Sequence, residues 1–204
     1  MSKRLIIIGA SLLGREVCNY ARDAGFLVEG FLDGRQHVLN GYDGYPPIIS
    51  SVEDFVVRSD VNYICAIGNP QMRMNYTEKV LARRGRFVNV VHPTAYVGPN
   101  VKMGVGCIIC PHAVVDCDLS LGDHVIINSL SYVSHDSALD DYVTLSPGCH
   151  LGGMTHLHRG VFMGIHSATI PNVELGAGVY VAAGACVTHD FFEGRVMGVP
   201  GRLR

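Results

Sequence analysis

The sequence predicts a chain in two parts, a parallel α/β domain followed by an all-β solenoid, and three observations carry that prediction. From Ala95 to Asp190 the chain divides without a gap into sixteen six-residue units, from AYVGPN to ACVTHD. The third place of each unit is apolar from Val97 to Val187 except at Thr169, and the first place is small or β-branched almost throughout. Neither an α-helix nor a hairpin keeps a period of six, but a β-solenoid does: the first and third places point inward from a short strand and the fourth to sixth turn a corner. Ahead of the repeats, short apolar runs alternate with stretches of helical spacing, the pattern of a parallel sheet with crossover helices. The third observation is the break at His92-Pro93, which places the α/β domain at 1–92, the solenoid at 93–190 and a tail at 191–204.

Taken in order, Leu5 to Gly9 is a short apolar run of buried-strand type, followed directly by Gly9-Ala-Ser-Leu-Leu-Gly14. Glu16 to Ala24 then carries Val17, Tyr20, Ala21 and Ala24 at helical spacing before Gly25 stops it. Leu27 to Asp33 is a second strand ending on an acid. Together these make a βαβ unit of Rossmann-like character, whose glycine turn sits at the head of a helix, where backbone N–H groups favour a phosphate. Ser11 stands where a dinucleotide fingerprint has its middle glycine, so a tight turn without a ligand stays open as the plainer reading. A P-loop is excluded, because Arg15-Glu16 follow Gly14.

Gly34 to Tyr45 reads as loop, and Gly41, Gly44 and Pro46-Pro47 mark turns. Ser51 to Arg58 reads as a brief helix, Asn62 to Ile67 as a third buried strand, Gln71 to Arg84 as a helix stopped by Gly85, and Phe87 to Val91 as a last strand. Gly9 to Gly14, Asp33 and Gly68-Asn69 all fall at carboxyl ends of parallel strands, the edge where ligands gather in such sheets.

Composition narrows the function classes. A formal charge of −2 leaves no electrostatic footprint for a nucleic acid or an anionic membrane. The apolar run after Lys3-Arg4 is far too short for a signal core or a membrane span, and seven scattered cysteines suggest free thiols, so a cytoplasmic protein is expected. Cys107 and Cys110 form a lone C-x-x-C in which Cys107 occupies an inward place, a core-packing position.

The arrangement G-A-S-L-L-G-R-E after the first strand, F-L-D at the end of the second, A-I-G-N-P-Q-M-R after the third, V-V-H-P before the repeats, S-H-D within them and G-V-P-G-R-L at the end resembles the sialic-acid O-acetyltransferase and bacillosamine-type sugar N-acetyltransferase family. The resemblance covers essentially the whole chain. It implies a left-handed parallel β-helix with three hexads per eighteen-residue coil, an N-terminal domain that holds a sugar or nucleotide-sugar, a β-helix that holds acetyl-CoA, and a homotrimer. It further implies that His135 is the general base of acyl transfer and Asp136 its orienting partner.

At eighteen residues per coil Gly153 lies one rung from His135, about 4.8 Å by strand spacing, where its N–H suits the oxyanion of the thioester carbonyl. Ala183 stands where one relative has a glycine beside CoA, and Thr144 where it has a second histidine. Gly9, Ser11, Asp33, Gly68, Asn69 and Arg73 are the expected substrate contacts. Taken without the family, a histidine at a solenoid corner reads first as a solvated turn residue. The expected reaction is acetyl transfer from acetyl-CoA to the amine of a nucleotide-linked aminosugar, with O-acetylation of a sialic acid and a non-catalytic nucleotide-sugar binder as the alternatives.

No metal is expected. Among trimeric β-helices a zinc carbonic anhydrase class uses two histidines five positions apart, and His150, His156, His158 and His166 lack that interval. Sorted by every third hexad, the outward second places give a third face of Ile108, Ile126, Thr144, Phe162 and Tyr180, against a polar second face of Lys102, Ser120, Ala138, His156 and Glu174. A stripe that apolar needs cover. The homotrimer is therefore expected to pack through Ile108, Ile126 and Phe162, with part of the first face joining in and CoA in the groove between subunits.

Overall fold

The computed structural model describes residues 3–198, so the G-V-P-G-R-L ending runs beyond the described residues after Gly198. The N-terminal part is a four-stranded parallel sheet in the order β3-β2-β1-β4, built from β1 Arg4–Ile8, β2 Leu27–Leu32, β3 Ile48–Ser50 and β4 Asn62–Cys65. Leu5 to Ile8 are buried, as a central parallel strand covered on both faces requires. Helix α1 spans Leu12–Asp23 and begins four residues earlier than its apolar spacing suggested, because Leu12 and Leu13 already form its first turn. Two glycines permit that entry. Gly9 takes φ +93, and a Cβ on Gly14 would lie 2.0 Å from the Gly9 carbonyl oxygen.

Two expectations fail here. Ser51 to Arg58 is a single turn rather than a helix: Ser51 Oγ accepts from the Asp54 N–H at 3.1 Å, but the N–H of Arg58 donates to the Tyr63 hydroxyl and draws the chain away toward β4. Phe87 to Val91 is not one strand. Phe87 makes a lone bridge to Tyr63, while Val90–Val91 pair with Ile108–Ile109 and so join the solenoid. Helix α2 covers Pro70–Leu81, with Asn69 capping it through a bond from the Met72 N–H at 2.9 Å.

The repeats form a parallel β-solenoid of three sheets, each strand contributing the second and third places of a hexad. The three faces match those sorted from the sequence, since Tyr132 pairs with Val114 below and His150 above. First and third places pack the core, from Cys107 to Val187. Thr169, the exception in the apolar column, is satisfied: its hydroxyl meets Thr155 Oγ1 at 2.9 Å and accepts from the Gly152 N–H at 3.1 Å. Every sixth-place residue from Asn100 to Gly184 holds a positive φ, between +54 and +72. Each coil therefore turns its corners through left-handed backbone.

The third face overturns the expected subunit interface. Ile108 and Ile126 are fully buried within the chain, packed with Leu5, Ile7, Val17 and Phe31 of the N-terminal domain. The apolar stripe that sequence sorting assigned to a partner subunit is covered by the chain's own first domain, and of the three named residues only Phe162 keeps partial exposure. Arg73 of α2 anchors this docking. It is fully buried, and its guanidinium donates to the carbonyls of His124 (3.0 Å), Ile67 (2.7 Å) and Tyr142 (2.7 Å) and to Thr144 Oγ1 (2.8 Å). Burial pulls its pKa down to about 10.

Arg73→Leu leaves those oxygens without donors, so it should destabilise the protein by about 3–5 kcal/mol. Urea denaturation reads this as a lower midpoint. A loss below ~1 kcal/mol would mean that the apolar contact alone seats the domain.

Candidate active site

The strand ends of the N-terminal sheet open into a cavity of about 620 Å³, lined by Gly9, Ser11, Asp33 and Gly68 together with Leu12, Arg35 and Tyr76. Four of the residues expected to touch substrate thus meet. Asp33 organises the floor: Oδ2 accepts from the Ala10 N–H at 3.0 Å, and Oδ1 accepts from the N–H and Nε of Arg35, both at 3.0 Å. Burial pushes the Asp33 carboxyl up, but the bonds from Arg35 and from the Ala10 N–H outweigh it and hold the group below the usual carboxylate range. Arg35 also reaches Ser11 Oγ at 3.2 Å, which sets a half-exposed guanidinium beside the glycine turn. Sequence reasoning missed Arg35, although its place two residues after the strand-ending acid was a usable signal.

Asn69 lies outside this cavity. It caps α2 and lines a second groove of about 1020 Å³ with Gly68, Arg159, Phe162, Tyr180 and Arg195. Arg73 touches neither space, because its donors are spent on the domain seam. Thr144 is buried there too, donating to the Gly68 carbonyl at 3.0 Å. These positions follow from one fact, that α2 lies against the third face.

His135 stands at the corner between the first and second faces. Its Nδ1 is 2.7 Å from Asp136 Oδ2, and both side chains are half-exposed. Asp136 holds φ +57, as sixth-place residues do. An ionised carboxylate can only accept, so the pair places the proton on Nδ1 and leaves a lone pair on Nε2. Gly153 lies one rung on, and a Cβ there would sit 2.9 Å from His135 Cε1 and 3.0 Å from Nε2. Only glycine leaves room for the ring. Among the described residues no backbone acceptor takes the Gly153 N–H. The Thr155–Thr169 pair fixes this corner from inside through Gly152, a support that the apolar-column reading treated as a mere exception. A groove of about 420 Å³ lined by Lys102, Asp118, Ser120, Asp136 and Ser137 runs along the second face beside it.

Ala183 is exposed at a different corner, between the third and first faces, with its N–H against Gly164. One chain therefore brings His135, Asp136 and Gly153 together but not Ala183. Nor does it unite the two half-sites: the cavity adjoins the third face, and the His135 corner lies opposite that face in the prism.

The PglD N-terminal domain family is matched over residues 4–80. The acetyltransferase domain of PglB from Neisseria gonorrhoeae superposes with a TM-score of 0.88 at 31% identity, covering 97% of each chain. The chain belongs to the hexapeptide-repeat sugar acetyltransferase family. Within it, PerB from Caulobacter crescentus, solved with CoA and GDP-perosamine, superposes at a TM-score of 0.86 with 26% identity over 98% of this chain and 96% of that one. Among curated members of the family, GDP-perosamine N-acetyltransferase from Escherichia coli O157:H7 is 31% identical over 118 residues, and the match spans 55% of this chain and 53% of that protein. The chain thus aligns with about half the length of that relative. No helix among the described residues is long and apolar enough to cross a membrane.

Because the folded-state pKa of Asp33 lies below its unfolded value of about 3.9, ionised Asp33 stabilises the fold above that pH, and the stabilisation is lost as pH falls through the folded-state pKa. Asp33→Asn should flatten that acid limb. Urea unfolding measured below about pH 4 checks it, and an unchanged pH dependence in the variant would deny Asp33 the role.

Proposed function

We propose that the protein is an acetyl-CoA-dependent N-acetyltransferase acting on the amino group of a nucleotide-linked aminosugar. The observation that carries this reading is the His135 corner, where an imidazole held by Asp136 lies against Gly153, whose N–H has no backbone acceptor among the described residues. Nε2 takes the proton of the amine as its nitrogen attacks the thioester carbonyl. Asp136 supports the imidazolium that forms. The Gly153 N–H holds the tetrahedral oxyanion, and collapse of that intermediate breaks the C–S bond and returns the proton to the departing thiolate. Direct attack is favoured because among the described residues no cysteine is hydrogen-bonded to a histidine, and burial pushes the Cys107 and Cys110 thiols up to about 12.

The relatives support the substrate classes. The PglB domain has been solved with acetyl coenzyme A and PerB with CoA and GDP-perosamine, including forms of the latter enzyme with one histidine replaced by asparagine or alanine. Gly9, Ser11, Asp33, Gly68 and Arg35 would hold the nucleotide-sugar in a Rossmann-like cavity, with Arg35 supplying the positive charge for a diphosphate. The solenoid is read as left-handed and the protein as a cytoplasmic homotrimer.

Opposed half-sites argue for that assembly. The interface belongs on the first face and its flanking corners, where Leu130, Ile165, Met154 and Ile170 are exposed, rather than on the covered third face. Packed so, the His135 corner of one subunit faces the acceptor cavity of the next, and CoA lies between them near Ala183.

His135→Ala should lower kcat by roughly 10²–10⁴ with the fold intact, and Asp136→Asn by less. Asp33→Ala should raise KM for the acceptor and spare that for acetyl-CoA. Thiol release from acetyl-CoA against a panel of UDP-, dTDP- and GDP-aminosugars and sialic acids tests the reaction; preference for a sialic acid would shift the acceptor to a hydroxyl, and silence across the panel would defeat the enzyme reading. Assayed at acceptor concentrations far below the raised KM of Asp33→Ala, where both parents are nearly inactive, co-refolding His135→Ala with Asp33→Ala subunits should restore roughly a quarter of wild-type activity if each site draws on two chains. Mixed trimers as inactive as either parent would remove the shared site.

A further inference from the structure

The second face carries a cluster of polar side chains that the acetyl-transfer reading leaves unused. His156 and His158 are two residues apart, so both project outward while Leu157 is buried between them. The eighteen-residue stacking sets Asp140 one rung below His158 and Glu174 one rung above His156. Ala138 and Gly176 fill the remaining places of these columns, which leaves the space between the four groups open.

The contacts are hydrogen-bond lengths as they stand, and their spacing also fits a metal centre. His156 Nε2 lies 3.1 Å from Asp140 Oδ1, and His158 Nδ1 lies 3.2 Å from Asp140 Oδ2. Metal bonds of ~2.0–2.1 Å in a tetrahedron set neighbouring ligand atoms about 3.3 Å apart. One ligand atom from each of the three residues falls within 4.8 Å of the others, and no other group among the described residues does this. The far nitrogen of His158 adds a second, independent feature: Nε2 is 2.6 Å from Glu174 Oε1, the carboxylate contact that fixes the tautomer and ring of a metal-bound histidine.

We propose that Asp140, His156 and His158 bind a zinc-class divalent transition metal, with Glu174 positioning His158. Two imidazoles and a carboxylate select this class over calcium or magnesium, and partial exposure leaves a fourth place for water. The ion is structural. It joins two rungs directly and a third through Glu174, whose carbonyl accepts from the Phe191 N–H at 3.2 Å and whose N–H donates to Asp190 at 2.8 Å, so it braces the last coil of the solenoid.

Untagged protein stripped with a chelator and titrated with Zn²⁺ by calorimetry should bind one ion per chain, with a rise in Tm. Co²⁺ in its place should give the visible absorption of a four-coordinate site. His156→Ala and His158→Ala should abolish binding, and Glu174→Gln should weaken it by 10–100-fold at unchanged stoichiometry. His150→Ala, on the first face, should bind as wild type. Absence of saturable one-to-one binding, or binding that survives both histidine variants, would overturn the site; full affinity in Glu174→Gln would overturn the positioning role.

Discussion

The structure depends on one constraint, that each coil must lay its strands on those of the coil eighteen residues earlier. Apart from short turn bonds at some corners, the backbone hydrogen bonds run between coils, as when Met154 donates to the His135 carbonyl and Asn172 to the Gly153 carbonyl. A residue's neighbours are therefore fixed by arithmetic. His135 meets Gly153, Asp140 meets His158, and His156 meets Glu174 for the same reason. Insertion of a single residue within one of these strands would turn its inward places outward.

The second organising contact is the seam between domains. An apolar sheet face must be covered, and here the first domain does the covering, sealed by a buried guanidinium that faces carbonyl oxygens instead of a carboxylate. His124 shows how dry that seam is: it stacks on Tyr142 and meets Phe87 edge-on, and burial pulls its pKa down to about 4. Seating the domain on the third face fixes the distance between the two half-sites. The nucleotide-binding-type cavity is held on one side of the prism and the imidazole on the other, and it is this separation on which the proposed assembly rests.

What the sequence displayed and what it hid divide along the same line. Periodicity made the faces, the inward columns and the His135–Gly153 stack readable, because each depends on local spacing alone. Composition also marked the third face as needing cover, but not by what, since nothing in a hexad distinguishes contact with a partner from contact with the same chain. Arg73 shows the cost: placed after a strand-end loop, it read as a ligand contact, and only the docking of α2 reveals it as the anchor of the seam. Arg35 was missed for the opposite reason, its role being set by the Asp33 carboxylate that turns it back over the glycine turn. The Ser51 turn was hidden by a hydrogen bond to Tyr63 that no local pattern announces.

The pairing of His135 with Asp136 follows from the corner geometry rather than from a device added to it. Sixth-place residues must adopt left-handed backbone, which glycine tolerates best and asparagine or aspartate next. An aspartate in that conformation turns its carboxylate back toward the fifth-place side chain. The rung below repeats the arrangement without the base: Asp118 accepts from the thiol of Cys117 just before it and from Asn100 Nδ2 at 2.7 Å. At His135 the same turn presents an imidazole, and the rung above presents a glycine that leaves the ring its space. The solenoid thus supplies the orientation of the His135 ring and a Gly153 N–H free of backbone acceptors as consequences of its own stacking, and a histidine at the fifth place with a glycine eighteen residues on is enough to build the corner on which the proposed acyl transfer rests.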